Sequence, residues 1–92
     1  MPKLTRAEVE RLKAGLPGWT LDGEAIQKAF TFGSFAAAIR FVNRVAPMAD
    51  LVDHHPDILV RCKQVTLTYS THSEGGLTAK DFDAAATADR LA

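Results

Sequence analysis

The sequence predicts an α+β fold in the order α-β-β-α-β-β-α, a largely antiparallel four-stranded sheet with helices packed on one face. Three observations carry this expectation. Residues 19–32 and 58–70 alternate apolar and polar side chains on either side of tight breaks, as β-hairpins do. Residues 35–52 repeat apolar side chains at helical spacing. Thr5-Arg6-Ala7-Glu8 and Thr78-Ala79-Lys80-Asp81 have the form of capping boxes, in which a hydroxyl and a carboxylate each satisfy a free backbone N–H at a helix start.

The first box opens a helix over roughly residues 5–14, with Leu4 and Val9 as its hydrophobic staple and Gly15 ending it through a positive φ. Trp19-Thr20-Leu21 and the stretch 25–32 flank Asp22-Gly23-Glu24, where Asp-Gly favours the positive φ of a hairpin turn. In the second strand Ile26, Phe30 and Phe32 share one face and Gln27 and Thr31 the other, so one side of the sheet needs helices over it.

Ser34 caps the second helix, whose first apolar stripe is Phe35, Ile39, Val42, Ala46 and Ala49. A neighbouring stripe of Ala38, Phe41, Val45, Met48 and Val52 widens the apolar arc to about 180°, against the 100° or so that packing on a sheet requires. The surplus, placed on Phe41, Val45, Met48 and Val52, predicts a partner subunit. Pro47 predicts a kink, and the ring of Pro56 ends the helix near Asp53 or His54. Ile58, Val60 and Cys62, then Val65, Leu67 and Tyr69, mark two more strands. Gly75-Gly76 breaks the pattern, and the second box, with Leu77 and Phe82 as its staple, opens the last helix.

Ninety-two residues suit one core, so residues 1–92 are expected to form a single domain. Eleven Lys plus Arg against eleven Asp plus Glu leave no overall field to hold a polyanion, which argues against direct nucleic-acid binding. The one cysteine, Cys62, has no internal partner, and neither a signal peptide's apolar segment nor a membrane-spanning run is seen. A soluble, cytoplasmic protein that does not engage a membrane is the expectation.

All three histidines fall within nineteen positions: His54 and His55 at the end of the long helix, His72 after the last strand. Asp50 lies four residues before His54, which on a continuing helix puts both on one face, where the carboxylate favours the imidazolium. The alternative is a solvated helix-end pair with His55 as a turn residue. Zinc would use i, i+4 histidines, whereas adjacent His54 and His55 point apart, so no metal site is expected. Cys62 sits in an apolar-alternating stretch and no Gly-x-Ser-x-Gly elbow exists, which argues against nucleophilic catalysis.

The segment Asp50-Leu51-Val52-Asp53-His54-His55-Pro56, followed by Ser70-Thr71-His72 and Gly75-Gly76-Leu77-Thr78-x-x-Asp81, resembles the pterin-4a-carbinolamine dehydratases. The likeness runs from about residue 17 to residue 85 and includes Gly18-Trp19, Phe35 and Arg44-Val45-Ala46. Ile58 and Cys62 stand where members of that family usually carry aromatics. The resemblance implies the same α+β order, assembly as a homodimer or homotetramer through strands and the long helix, and elimination of water from a 4a-hydroxytetrahydropterin. That reaction needs a proton on the departing hydroxyl and loss of one from a ring nitrogen, work for imidazoles without metal or organic cofactor. By resemblance His54 and His72 give the proton, His55 holds or deprotonates the pterin, Asp50 orients and charges a histidine, and Ser70, Thr71 and Asp81 contact or border the substrate. A carboxylate at Asp81 also serves its capping box. Two other functions are compatible with the resemblance: a dimerisation cofactor that binds a transcription factor's helices, and a role in another pterin pathway such as that of molybdopterin.

Overall fold

The computed structural model describes residues 2–92. Its elements are α1 (Arg6–Ala14), β1 (Thr20–Asp22), β2 (Ala25–Thr31), α2 (Phe35–Val52), β3 (Asp57–Arg61), β4 (Gln64–Tyr69), a single 3-10 turn at His72–Glu74, and α3 (Ala79–Leu91). The four strands form one antiparallel sheet in the order β1-β2-β4-β3, so the predicted α+β class and element order hold.

Both capping boxes form in full. At α1 the Thr5 backbone N–H and hydroxyl, bonded to Glu8, hold that carboxyl below the usual carboxylate range. Gly15 ends α1, but in the right-handed region at φ −83°, its N–H reaching back to Leu12. The stop therefore comes from the turn that follows, without a left-handed cap.

Register explains the core. Ile26 pairs with Tyr69, Lys28 with Leu67 and Phe30 with Val65, while Ile58 and Val60 of β3 face Leu67 and Val65 from the other side. Ile26, Phe30, Val65, Leu67 and Tyr69 are all buried under α2 and α3. Phe41 of α2 lies 4.8 Å from the Phe30 ring centre and 5.1 Å from that of Phe32, and Trp19 meets Phe30 edge-on at 5.9 Å. The Trp19 indole N–H donates to Asp89 of α3, which also takes Lys28 Nζ at 2.8 Å, tying the end of α3 to the sheet.

Two expectations change here. The face of α2 that packs on the sheet is Ala38, Phe41, Val45 and Ala49, so Phe41 and Val45, assigned above to a wet stripe for a partner, are core residues of this chain. Phe41 packs on the rings of both Phe30 and Phe32, and burying a large apolar side chain contributes about 1.5–3 kcal/mol. Left outside are Phe35, Leu51 and Val52, each more than half exposed. Cys62, in turn, is an exposed turn residue rather than a strand residue. Arg61 pairs with Gln64, which leaves Cys62 and Lys63 as a two-residue hairpin turn, and Cys62 takes the positive φ (53°) that such turns require.

Candidate active site

The site is built where α2 stops. Asp53 takes a left-handed conformation (φ 52°, ψ 45°), and the N–H groups of Asp53 and His54 bond back to Asp50 and Ala49. This six-to-one closure reverses the chain, and Pro56 then sends it into β3. The two histidines consequently leave the turn in different directions.

His54 turns inward. Its Nε2 lies 2.6 Å from Oδ1 of Asp81, a carboxylate with no solvent exposure, and its ring stacks on Tyr69 at 6.1 Å. Oδ2 of Asp81 accepts from the Thr71 hydroxyl and from the Thr78 backbone N–H, both at 2.9 Å. Every oxygen of this buried acid is thus engaged, as a charge in a low-dielectric setting demands. Tyr69, beside it, has its phenol pushed up to about 12 by burial and then by the negative charge of Asp81.

His55 turns outward. Its Nε2 lies 2.8 Å from Oδ1 of Asp50. The spacing argument had paired Asp50 with His54; the left-handed residue at position 53 breaks the helical face before position 54, and Asp50 meets His55 instead.

His55 and His72 line one cavity of about 350 Å³ together with Glu24, Asp57, Ser70 and Gly76. It lies across the ends of three strands: Glu24 precedes β2, Ser70 follows β4, and Asp57 opens β3. The Ser70 hydroxyl donates to the backbone carbonyl of Glu24 at 2.8 Å. Here the structure brings together His55, His72 and Ser70, with Asp50 joined through His55. His54, Thr71 and Asp81 are held apart in the buried cluster behind it, and His54 faces a second, more apolar groove between α2 and α3. Glu24 and Asp57 were not singled out as site residues in the sequence, because each doubles as an ordinary turn or strand-edge residue, and Gly76 entered only as part of the Gly75-Gly76 motif. Chemically, the cavity offers two imidazoles able to move protons, one of them oriented by a carboxylate, and two further carboxylates able to accept hydrogen bonds.

The comparisons with known proteins bear on the family and the fold. The model of the family described as pterin 4 alpha carbinolamine dehydratase matches residues 2–91. The chain belongs to the pterin-4a-carbinolamine dehydratase family. It is similar to a protein of Mycobacteroides abscessus, 48% identical over 97% of this chain and 95% of the relative, and to one of Roseiflexus castenholzii, 50% identical over 96% and 95%. Both bear the name "Putative pterin-4-alpha-carbinolamine dehydratase". Among solved structures, a transcriptional coactivator/pterin dehydratase from Brucella melitensis superposes with a TM-score of 0.93 at 36% identity, covering 98% of each chain. A pterin dehydratase-like RuBisCO assembly factor of the alpha-carboxysome shares the fold, with a TM-score of 0.67 at 24% identity over 79% of this chain.

Proposed function

We propose that this member of the family dehydrates 4a-hydroxytetrahydropterins to quinonoid dihydropterins, returning the pterin used by aromatic amino acid hydroxylases. The observation that carries the reading is the placement of His55 and His72 in one polar cavity, with Asp50 2.8 Å from Nε2 of His55. In the reaction the C4a–O bond breaks and the oxygen leaves as water with a proton from one imidazole. A ring N–H gives its proton to a second base, and its electron pair forms the C4a=N bond. Balanced in this way, the step needs neither metal nor redox cofactor, and general acid–base help is typically worth about 10² to 10⁴ in rate.

In this assignment His72 and His55 move the protons and Ser70 helps shape the cavity floor. His54 acts through its tie to Asp81: anchored there, it fixes the turn that aims the next residue, His55, into the cavity. Thr71 belongs to the same anchor. The chain is also proposed to work as a single domain in the cytoplasm and as a homo-oligomer, the last because Phe35 at the start of α2 and Leu51 and Val52 at its end are large apolar side chains left exposed.

The test is direct. Tetrahydropterin is turned over by an aromatic amino acid hydroxylase, and the decay of the 4a-hydroxy product is followed by its ultraviolet absorbance. The purified protein accelerates that decay over buffer and continues to do so in excess chelator. Activity abolished by chelator and restored by zinc contradicts the mechanism.

A further inference from the structure

One wall of the histidine cavity remains without a role, and it is acidic. Glu24 stands on the β2 side, His55 and Asp57 on the β3 side, and β4 runs between them, which separates the two walls by two strand spacings, about 9–10 Å. A fused two-ring heterocycle fits that span with hydrogen bonds at either end.

Glu24 is held in place by more than the turn that carries it. Lys3 Nζ lies 3.3 Å from its Oε2, and its backbone carbonyl takes the Ser70 hydroxyl at 2.8 Å. Gly76 completes the arrangement. A Cβ at that position would overlap the Glu24 carboxylate and come within 2.8 Å of Lys3 Cε. Gly76 does not have a positive φ, so the glycine serves space rather than backbone conformation. Stability does not account for this arrangement. The side chains of Lys3 and Glu24 are 52% and 64% exposed, and exposed ion pairs contribute little.

The chemistry of the wall selects its ligand. A carboxylate presents two acceptors side by side, the complement of two parallel N–H donors. Each oxygen carries two lone pairs, so the contact with Lys3 leaves both free to accept again. The 2-amino-4-oxopyrimidine half of a pterin offers such a donor pair in its 2-amino group and N3–H. Turned toward Glu24, that half leaves the ring-fusion carbon C4a above β4, between Glu24 and His55. We infer that Glu24, kept in position by Lys3 and the bare Gly76, recognises the pyrimidine edge of the substrate by accepting its 2-amino and N3–H protons. The inference rests on the dehydratase reading and adds to it the residue that distinguishes 2-amino-4-oxopteridines from 2,4-dioxopteridines.

The experiment compares binding of 7,8-dihydropterin and 7,8-dihydrolumazine, by fluorescence, to the full chain and its variants. The lumazine carries a carbonyl where the pterin has its 2-amino group. Wild-type protein prefers the pterin at least about tenfold, as the loss of one charge-assisted hydrogen bond requires. Glu24→Gln, whose amide pairs a donor with an acceptor, brings the two ligands within about threefold or reverses the order. Gly76→Ala displaces the flexible Glu24 side chain and reproduces the weak pterin binding of Glu24→Ala, with a thermal midpoint within a few degrees of wild type. On the natural reaction Glu24→Gln raises KM far more than it lowers kcat. Glu24→Gln keeping the wild-type preference overturns the inference and, if turnover of the 4a-hydroxypterin is normal, leaves the dehydratase reading standing. Wild-type protein that neither binds dihydropterin nor turns over the 4a-hydroxypterin overturns both together.

Discussion

Two neighbouring residues of one chemical type, His54 and His55, are placed in opposite surroundings. His54 compensates the buried Asp81, while His55 and His72 face a cavity open to solvent. Substitution separates the two situations. His54→Ala strips a partner from a carboxylate that has no exposure, and the remaining contacts from Thr71 and Thr78 compensate only in part. The cost is roughly 3 kcal/mol or more, which moves the thermal midpoint by over ten degrees in a domain of this size. His72→Ala, at an exposed position, leaves the midpoint within a few degrees. Equal melting of the two variants would contradict the buried pair. Tyr69 gives a pH signature. Its phenol keeps its proton in the folded state up to about 12, whereas the unfolded chain releases it near its usual 10. Below pH 10 both states are protonated and the shift has no effect. Between 10 and 12 the unfolded state binds fewer protons, so folding stability falls with rising pH, by about 2–3 kcal/mol in all. Denaturant titrations of Tyr69→Phe across that window lose this part of the alkaline decline, and an unchanged slope would refute the assignment.

At the level of elements, local rules read well and directions read poorly. Thr5 and Thr78 announced their helices because a capping box is a contact between neighbours in sequence, and the alternation of Val65, Leu67 and Tyr69 with Thr66 and Thr68 announced β4 for the same reason. Pro56 marked the end of α2 correctly. What the spacing could not supply was the left-handed φ at Asp53, which sends His54 one way and His55 the other and so redirects Asp50 from His54 to His55. Which apolar stripe of α2 faces the sheet depends on its fit to Phe30 and Phe32, a contact between elements. The turn at Asp53 carries a prediction of its own. Aspartate tolerates the left-handed region, but a β-branched residue there is strained, so Asp53→Val costs at least about 1–2 kcal/mol. It also lowers turnover, because the same turn aims His55. Thermal melts and the decay assay check both effects, and a variant unchanged in each would show that the turn is not what places the histidine.

Across the whole molecule, the cavity joins residues near positions 24, 55 and 72, which only the sheet order β1-β2-β4-β3 brings together. For that reason the histidines were legible as a group while Glu24, some thirty residues before them, was not. The same packing buries Phe41 and Val45 and leaves Phe35, Leu51 and Val52 outside on α2, with Leu59 exposed on the edge strand β3. Leaving these wet is unfavourable, so light scattering at micromolar concentration should report a multiple of the 10.0 kDa chain mass. A mass of one chain would remove the oligomer from the account. The central claim is that His55 and His72 carry out the dehydration, and it is tested most directly by single-turnover decay of a 4a-hydroxytetrahydropterin with wild-type protein, each single alanine variant and the double variant, alongside their thermal midpoints. The account predicts a loss of at least about tenfold for His72→Ala and for His55→Ala, a larger loss for the pair, and midpoints within a few degrees of wild type. Variants that stay folded and retain wild-type turnover would contradict it.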